Sequence, residues 1–230
     1  MTLRLAVPSK GRLMEKTFSW FAGHGLGMAL TGGDREYAAA IDGADIDVLL
    51  MSAGEIPRAL AAGRVHLGVT GSDLIRERLA GWERSVEPVT PMGFGHADLI
   101  VAVPKVWVDV THLDDLDAVA AAFRARHGFR LRIATKYHRL VREFLREAGV
   151  ADYQIVDSQG ATEATVAQGS AEAIADITST GETLRANHLR ALEDGVIHRS
   201  EATLFRSKQA SWDKARLAAF EALEPRLTGG

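Results

Sequence analysis

Short runs of β-branched and other apolar residues alternate along the chain with patterns in which apolar residues recur every three or four positions. This alternation is typical of α/β proteins built on a parallel sheet. The apolar runs predict strands at residues 3–7, 45–51, 66–70, 98–103, 131–135, 153–157 and 173–178. We therefore expect mostly parallel sheets with helices packed against them.

The helical patterns lie between these runs. The clearest covers 136–148, where one apolar stripe contains Tyr137, Leu140, Val141, Phe144, Leu145 and Ala148. Gly149 follows as a helix stop. Further helices are predicted at 55–62, from Ser72 to before Gly81, at 113–127 and at 208–223.

Two breaks divide the chain. The segment 88–95 is rich in proline and glycine and interrupts any regular element, and a glycine-containing loop follows Thr180. We therefore predict an inserted arrangement, in which residues 1–92 and 181–230 form one lobe and residues 93–180 form the other. A cleft between two α/β lobes would be the natural ligand site.

Composition narrows the class of protein. The 230 residues are 47% hydrophobic and 25% charged, with a net charge of −3, which is typical of a globular domain and excludes a disordered, collagen-like or coiled-coil chain. This charge gives no basic field for nucleic acid, and we expect no nucleic-acid partner. The chain has no cysteine, which excludes disulfides, iron–sulfur clusters and thiol nucleophiles.

Targeting and metal signals are weak. The N-terminus lacks a signal-peptide core. The longest stretch without Asp, Glu, Lys or Arg, residues 17–33, contains five glycines and fits a helix end and turns better than a membrane span. We therefore expect a cytoplasmic protein with no membrane partner. The eight histidines show no ligand spacing, so we expect no metal held by the protein.

The segment 163–187 carries the most chemical information. It predicts a helix, a stop at Gly169, a strand, a turn and a second helix. The turn 178–183 offers up to four hydroxyls, from Thr178, Ser179, Thr180 and Thr183, around Gly181. Hydroxyls and backbone N–H groups at a helix start suit a phosphomonoester. Asp176, near the end of the strand, could accept hydrogen bonds from a sugar diol or help hold Mg²⁺.

A plain structural interpretation fits the same pattern. Ser179 or Thr180 could simply cap the second helix, and Glu182 would repel a phosphate unless it points outward. The residues taken alone leave both interpretations open.

Many fixed positions of this segment resemble the signature of the ATP phosphoribosyltransferase family of histidine biosynthesis. They are Glu163, Gly169, Ala171, Ile174, Asp176, Ile177, Thr180, Gly181, Thr183 and Leu184. Other segments are similar to the same family in the same order, at 8–13, 63–73, 93–95 and 133–137. The resemblance extends over about residues 3–206.

The resemblance implies a reaction and a fold. The family transfers the 5-phosphoribosyl group of phosphoribosyl pyrophosphate (PRPP) to N1 of the adenine of ATP and releases pyrophosphate, with Mg²⁺ carried by the substrate phosphates. Its fold is the two-lobed type II periplasmic-binding-protein fold with the second lobe inserted. The length resembles the short form of the family, which implies a histidyl-tRNA-synthetase-like regulatory subunit and a homodimer within a hetero-oligomer.

The resemblance also implies roles for individual residues. The turn from Thr178 to Thr183 would bind the 5-phosphate of PRPP and Asp176 the ribose hydroxyls, with Glu163 a weaker ribose or magnesium candidate. The catalytic candidates are Lys10, Arg12 and Arg35, of which Lys10 and Arg12 would meet pyrophosphate or the ATP phosphates. Gly71 and Asp73 would form part of the same wall.

Each assignment has a plainer alternative. Lys10 and Arg12 could be solvated loop charges, and Arg35 could be a surface ion-pair partner. Glu163 fits an ordinary helix carboxylate, and Lys136, beside Thr135, could merely follow a strand end.

One departure from the family pattern concerns an arginine. Many members have Arg in an Arg-x-x-Asp-Ile-Pro block, whereas this chain has Ser52 at that position and continues to Glu55-Ile56-Pro57. If that arginine neutralises the leaving pyrophosphate, Arg58, Arg35 or Lys10 must compensate here. We expect Arg35→Ala to lower turnover by more than about tenfold, and an unchanged rate would remove that assignment.

Two other functions remain open at this stage. A two-lobed α/β protein can be a solute-binding or ligand-sensing module, which would bind ligand without releasing pyrophosphate. The chain could also be a phosphoribosyltransferase that uses another base, and substrate exchange with free nucleobases would distinguish it.

Overall fold

The computed structural model describes residues 2–30, 38–41, 46–158 and 160–228. The chain divides into two compact units, one made of Met1–Gly95 with Glu201–Gly230 and the other of His96–Ser200. The second chain crossing therefore follows Ser200 and not Thr180, where the sequence prediction placed it. The reason is that the last strand of the inserted unit, Leu189–Ser200, pairs with Ala97–Pro104 of the same unit.

The first unit contains a seven-stranded sheet within the described residues. Its strands are β1 (Leu3–Pro8), β2 (Met28–Leu30), β3 (Ala38–Ile41), β4 (Ile46–Met51), β5 (Leu67–Gly71), β6 (Val86–Pro91) and β12 (Ala202–Ser207). Its helices are α1 (Gly11–Gly23), α2 (Ile56–Ala61), α3 (Ser72–Arg78) and α8 (Lys214–Thr228), with a 3₁₀ turn at Trp82–Arg84.

The centre of this sheet is the parallel trio β4-β1-β5, in the strand order β2-β3-β4-β1-β5-β12-β6. Alternate residues of β1 enter two cores. Leu5 and Val7 pack with α1 and α8 on one face, and Ala6 packs with α2 and α3 on the other. β4 lies on one side of β1 in the sheet, and β5, the next strand after β4 in the chain, lies on the other side. In open α/β sheets, ligands bind at the carboxyl ends of strands at such a switch point.

The second unit contains a five-stranded sheet. Its strands are β7 (Ala97–Pro104), β8 (Leu131–Thr135), β9 (Tyr153–Asp157), β10 (Ala173–Thr178) and β11 (Leu189–Ser200), in the order β11-β7-β10-β8-β9. Its helices are α4 (Leu113–His127), α5 (His138–Glu147), α6 (Ala164–Ala167) and α7 (Glu182–Ala186). The trio β10-β8-β9 is parallel, β7 pairs antiparallel with β10, and β11 pairs antiparallel with β7.

Both sheets are mixed, and the prediction of mostly parallel sheets was wrong. Four of the ten pairings between described strands are parallel and six are antiparallel. The parallel trios come from the strongly apolar runs, which periodicity detects. The antiparallel partners include β6, whose Pro88 and Pro91 were taken for a break. β6 is an edge strand, where proline is tolerated.

Helix α8 begins later than the sequence predicts, at Lys214 instead of residue 208. Ser207 Oγ accepts the backbone N–H groups of Gln209 and Ala210 at 3.1 and 3.0 Å, and these bonds form a turn where the prediction placed a helix. None of the helices described is both long and apolar enough to cross a membrane.

Candidate functional site

The carboxyl ends of β10, β8 and β9 lie at one edge of the second sheet because these strands are parallel. Thr135 ends β8 opposite Asp157 of β9, and Thr178 ends β10. Thr135 is fully buried, and its Oγ1 accepts the N–H of Tyr137 at 2.9 Å. This bond fixes the backbone around Lys136, which lies between the two residues. The edge therefore brings segments from three strands together.

Asp176 and Lys136 form an ion pair at this edge. Lys136 Nζ lies 3.2 Å from Asp176 Oδ1, with the Asp176 side chain 13% exposed and that of Lys136 40% exposed. The same Oδ1 accepts the N–H of Ile177 at 2.8 Å. The described contacts of the carboxylate all involve Oδ1, so Oδ2 is left to accept hydrogen bonds from a ligand. The pattern of the sequence did not indicate this role for Lys136, because 40 residues separate it from Asp176.

The turn after β10 is organised by its own hydroxyl groups. Thr178 Oγ1 accepts the N–H of Gly181 at 3.0 Å, and Thr180 Oγ1 accepts the N–H of Glu182 at 3.4 Å. Ser179 Oγ donates to the carbonyl of His96 at 3.1 Å. Two of the backbone N–H groups expected to face a phosphate are thus engaged by side chains. The O–H groups of Thr178 and Thr180 accept in these bonds and can still donate.

Gly181 gives the turn its shape. Its φ of +71° lies in the left-handed region, which residues other than glycine rarely adopt. A Cβ placed there would lie 3.2 Å from Nη1 of Arg185. The Arg185 guanidinium therefore lies against the turn and supplies a cation that sequence analysis missed. The signal was present, because Arg185 stands four residues after Gly181, one helical turn further on.

Thr183 and Glu163 occupy different places in this unit. Thr183 is exposed in the first turn of α7. Glu163 is half-buried and directly precedes α6, which packs against β10. No contact described here joins Glu163 to the turn.

A comparable edge exists in the first unit, where β4, β1 and β5 end together. Ser9 donates its N–H to the carbonyl of Met51 at 2.9 Å, which ties the loop after β1 to the end of β4. Lys10 and Arg12 are both exposed, on either side of Gly11, whose φ is +69°. Both cations therefore stand at the start of α1, whose first turn carries no acidic residue.

Gly71 and Asp73 follow β5 at the same edge. Gly71 ends the strand and precedes α3, and Asp73 lies in the first turn of that helix. Asp73 is only 7% exposed. Its carboxylate thus offers little surface to a ligand. A negative charge in the first turn of a helix interacts favourably with the helix dipole.

Ser52, at the position where the resemblance led us to expect an arginine, is bonded to Glu55. Its hydroxyl donates to Glu55 Oε2 at 2.9 Å, and its N–H reaches the same oxygen at 3.4 Å. This pair precedes α2. Arg58, one turn into the helix, lines a cavity of about 490 Å³ together with Glu55, Arg4 and Arg64.

Arg35 lies outside the described residues. Within the described ranges, no group of three or more His, Asp or Glu side chains could hold a metal ion.

Comparison with solved structures defines the class of protein. A histidine kinase sensor domain with similarity to periplasmic binding proteins matches 99% of this chain and 91% of its own, with a TM-score of 0.53 and 15% identity. An ATP phosphoribosyl transferase (HisG:HisZ) complex from Thermotoga maritima matches with a TM-score of 0.72 and 23% identity, over 99% of this chain and 98% of that chain. The fold is therefore the two-unit α/β fold of periplasmic binding proteins, type II.

Sequence comparison identifies the family. The sequence model described as HisG: ATP phosphoribosyltransferase matches residues 52–229. An ATP phosphoribosyltransferase of Cereibacter sphaeroides is 67% identical over 228 residues, which are 99% of this chain and 96% of that protein. The chain belongs to the ATP phosphoribosyltransferase family, the transferases of the first step of histidine biosynthesis. This assignment confirms the resemblance and excludes the sensing module and the transferase for another base.

Proposed function

We propose that the carboxyl edge of the second sheet binds PRPP and holds it for attack by N1 of the adenine of ATP. The observation that carries this proposal is the Asp176–Lys136 pair beside a turn of hydroxyl groups. A phosphomonoester needs several donors and positive charge, and a ribose diol needs an acceptor. All of these groups occur between Lys136, Asp176 and the turn 178–183.

The hydroxyls of Thr178, Thr180 and Thr183 donate to the 5-phosphate of PRPP, and Arg185 supplies positive charge. Ser179 already donates to the carbonyl of His96, so its part is to hold the turn. Gly181 leaves room for the phosphate to approach the backbone. The Glu182 side chain is exposed, and the proposal requires its carboxylate to point away from the anion.

Asp176 Oδ2 accepts the hydrogen bonds of the ribose hydroxyls. Lys136 holds the carboxylate in place through their ion pair. In the reaction the bond between C1 of the ribose and the pyrophosphate oxygen breaks, and pyrophosphate leaves with the electron pair. A bond forms between C1 and adenine N1. Catalysis comes from positioning and from charge stabilisation of an oxocarbenium-like state, and it needs no covalent nucleophile.

The cations of the first unit bind the phosphate groups of ATP or the leaving pyrophosphate. Lys10 and Arg12 are exposed at a helix start, where backbone N–H groups also favour anions. Arg35 is proposed for the same task from its family position. Gly71 contributes a strand end without a side chain. The burial of Asp73 limits direct contact with a ligand. Its proposed part is therefore to orient α3.

Ser52 cannot replace the family arginine, because it is neutral and bonded to Glu55. Arg58 then provides the positive charge one turn further along α2. Mg²⁺ bound to the phosphates of PRPP and ATP would neutralise part of their charge. Carboxylate oxygens such as those of Asp176 or Glu163 are of the ligand type that Mg²⁺ prefers.

The protein acts in the cytoplasm as a homodimer that binds a histidyl-tRNA-synthetase-like regulatory subunit. The solved complex from Thermotoga maritima, named for two components, supports a second subunit.

Isothermal titration calorimetry of PRPP binding to the protein, in the presence of Mg²⁺, tests the binding assignment. We expect Thr183→Val, which removes a hydroxyl and keeps the side-chain volume, to weaken PRPP binding about tenfold. Arg185→Met should weaken it at least as much. The control is Thr228→Val, at an exposed threonine in α8. Equal affinity in all four proteins would contradict the assignment.

A further inference from the structure

A cavity of about 760 Å³ lies at the amino end of β9, in the second unit. This volume is within the range of small-molecule pockets. Its walls are residues 149–151 and 153–155 together with three arginines, Arg130, Arg142 and Arg146, and they include no Asp or Glu. We refer to this surface as the arginine cavity.

The three cations of the arginine cavity come from separate parts of the second unit. Arg130 directly precedes β8, whereas Arg142 and Arg146 stand one turn apart on α5. Like charges at this spacing repel each other on a helix. A single exposed arginine is ordinary on a protein surface, but a concave surface lined by one sign of charge concentrates counter-ions. The arrangement therefore favours an anion in the cavity.

Neighbouring carboxylates compensate this charge only weakly. Arg130 Nε lies 3.9 Å from Asp152 Oδ1, an atom that a second arginine already holds at 2.5 Å. Arg146 Nη2 lies 3.9 Å from Glu147 Oε1, and both side chains are 74% exposed. Arg142 is exposed, and no ion pair with another described residue involves it. Most of the positive charge is thus available to a ligand.

Tyr153 adds a hydroxyl group to the same surface. Burial raises the pKa of Tyr153, and the charges of Arg142 and Arg146 oppose this shift. The hydroxyl is therefore protonated at neutral pH, and both guanidinium groups lie close enough to act on it. It makes no hydrogen bond to another described residue. Its O–H is consequently free to donate to an anion.

The arginine cavity is separate from the edge proposed for PRPP. In the pairing of β9 with β8, Tyr153 lies opposite Leu131, and Asp157 lies opposite Thr135 at the carboxyl edge. The four steps from Tyr153 to Asp157 span about 13 Å of strand. The two surfaces therefore lie at opposite ends of the same strands.

We propose that the arginine cavity binds a small anion that carries a chain of two or more phosphate groups, at a site additional to the one proposed for PRPP. Guanidinium groups bind phosphate oxygens in a bidentate manner. Three of them spread over one cavity match several phosphate groups better than one, and the Tyr153 hydroxyl supplies a further donor. Inorganic polyphosphate, ATP and PRPP all contain such a chain, so each is a separate arm of the test.

Fluorine NMR of the full chain labelled with 3-fluorotyrosine tests the proposal. The chain has three tyrosines. Tyr153 reports on the arginine cavity, Tyr137 reports on the edge proposed for PRPP, and Tyr37 lies outside the described residues. Single Tyr→Phe substitutions assign the three resonances. Sodium tripolyphosphate is titrated at constant ionic strength, and we expect the Tyr153 resonance to shift to saturation.

Two double variants show whether the arginines cause this shift. We expect Arg142→Gln with Arg146→Gln to raise the dissociation constant read at Tyr153 about a hundredfold, or about tenfold for each charged donor removed. The matched control is Arg126→Gln with Lys214→Gln, which removes two exposed positive charges outside the cavity. The control should leave this constant unchanged. Circular dichroism establishes that each variant is folded.

Titrations with ATP and with PRPP identify the source of the phosphate chain. A saturable shift of Tyr153 with ATP supports a nucleotide as ligand, and one with PRPP supports the sugar pyrophosphate. A shift with tripolyphosphate alone supports a free polyphosphate. No saturable shift with any of the three, or equal affinity in both double variants, would overturn the proposal.

Two further measurements separate this proposal from other accounts. The Arg142/Arg146 variant should keep kcat/KM for ATP and PRPP within about twofold, and a large loss would show that these arginines serve the transfer reaction instead. A Tyr153 resonance that responds to the regulatory subunit but not to tripolyphosphate would also overturn the proposal. If the chain proves inactive in phosphoribosyl transfer, the binding experiment still stands, because it requires no turnover.

Discussion

The ion pair between Asp176 and Lys136 is the contact on which the candidate site depends most. The carboxylate is mostly buried, and its Oδ1 is held by both the Lys136 ammonium and a backbone N–H. Removing the negative charge would leave Lys136 without its partner and, in the proposed assignment, would take away the ribose acceptor. An ion pair that is partly buried is more sensitive to such a change than a solvated one.

We expect Asp176→Asn to lower kcat/KM for PRPP by about tenfold or more, with little change in KM for ATP. Steady-state kinetics with each substrate varied in turn measures both values. Glu143→Gln is the control, because it removes the carboxylate of another ion pair of the same unit, Arg139–Glu143. Lys136→Met should be non-additive with Asp176→Asn, since the two side chains are in contact. Full additivity, or an unchanged kcat/KM, would contradict the role of the pair.

Gly181 has a conformational role that a substitution can isolate. Alanine at its φ of +71° costs about 1–2 kcal/mol, and its Cβ would press on Arg185. We expect Gly181→Ala to weaken PRPP binding about tenfold. Gly160→Ala serves as the control, because Gly160 has no positive φ and its Cβ would meet open space. Calorimetry that finds equal PRPP affinity in both variants would show that the turn does not need this conformation.

At the scale of elements, His66 connects β1 to the segment that leads into α8. It is 4% exposed, and its Nδ1 accepts the N–H of Arg4 at 3.1 Å. Its ring meets Trp212 edge-on, with 5.1 Å between centroids. Trp212 in turn packs against Phe220 of α8. The neutral ring is therefore required, because protonation at Nδ1 would place two donors face to face.

Burial lowers the pKa of His66 from its ordinary value of 6.5, and the charges of Arg216 and Arg4 act in the same direction. The carbonyl of Ser211 and the charge of Asp213 oppose the shift. The unfolded chain thus binds this proton at a higher pH than the folded chain does. Its contribution to stability is complete above pH 6.5 and decreases as the pH falls from there through the folded pKa.

We expect the free energy of unfolding of wild type to fall more steeply between pH 7 and about pH 5 than that of His66→Asn. Asparagine Oδ1 can still accept the N–H of Arg4 but does not titrate in this range. Urea unfolding at a series of pH values gives the two slopes. Parallel curves would contradict the role of His66, whatever the difference in their height.

The elements differ in how well the sequence predicts them. Helix α5 was predicted at 136–148 and observed at His138–Glu147, because its apolar stripe buries Leu140, Val141 and Leu145 against a sheet. Strand β11 was not predicted. Its twelve residues carry register shifts between Ala191 and His198, and such bulges disrupt the period of two on which detection depends. Strand β6 was not predicted either, because its prolines were taken for a break in regular structure.

At the scale of the whole molecule, the sequence predicted an inserted second unit but misplaced its end by 20 residues. The glycine-containing turn after β10 indicated a crossing at Thr180, yet the chain stays in the second unit through α7 and β11. A turn signal shows that a strand ends and does not show where the next strand pairs. That information lies in the long-range pairing of β11 with β7.

The sequence likewise predicted part of the candidate site. The motif located Asp176 and the turn, and the structure confirms that they lie together at one sheet edge. Lys136 and Arg185 emerged only from the folded chain, because one pairs across 40 residues and the other reaches back along α7. Roles in catalysis for Lys10, Arg12 and Arg35 stay predictions.

The central claim is that this chain catalyses phosphoribosyl transfer from PRPP to ATP. The most direct measurement is mass spectrometry of a mixture of the purified chain, PRPP, ATP and Mg²⁺, with and without the regulatory subunit. We expect phosphoribosyl-ATP and pyrophosphate in equal amounts, and a lower rate for Asp176→Asn in the same assay. Absence of phosphoribosyl-ATP both with and without the regulatory subunit would contradict the account.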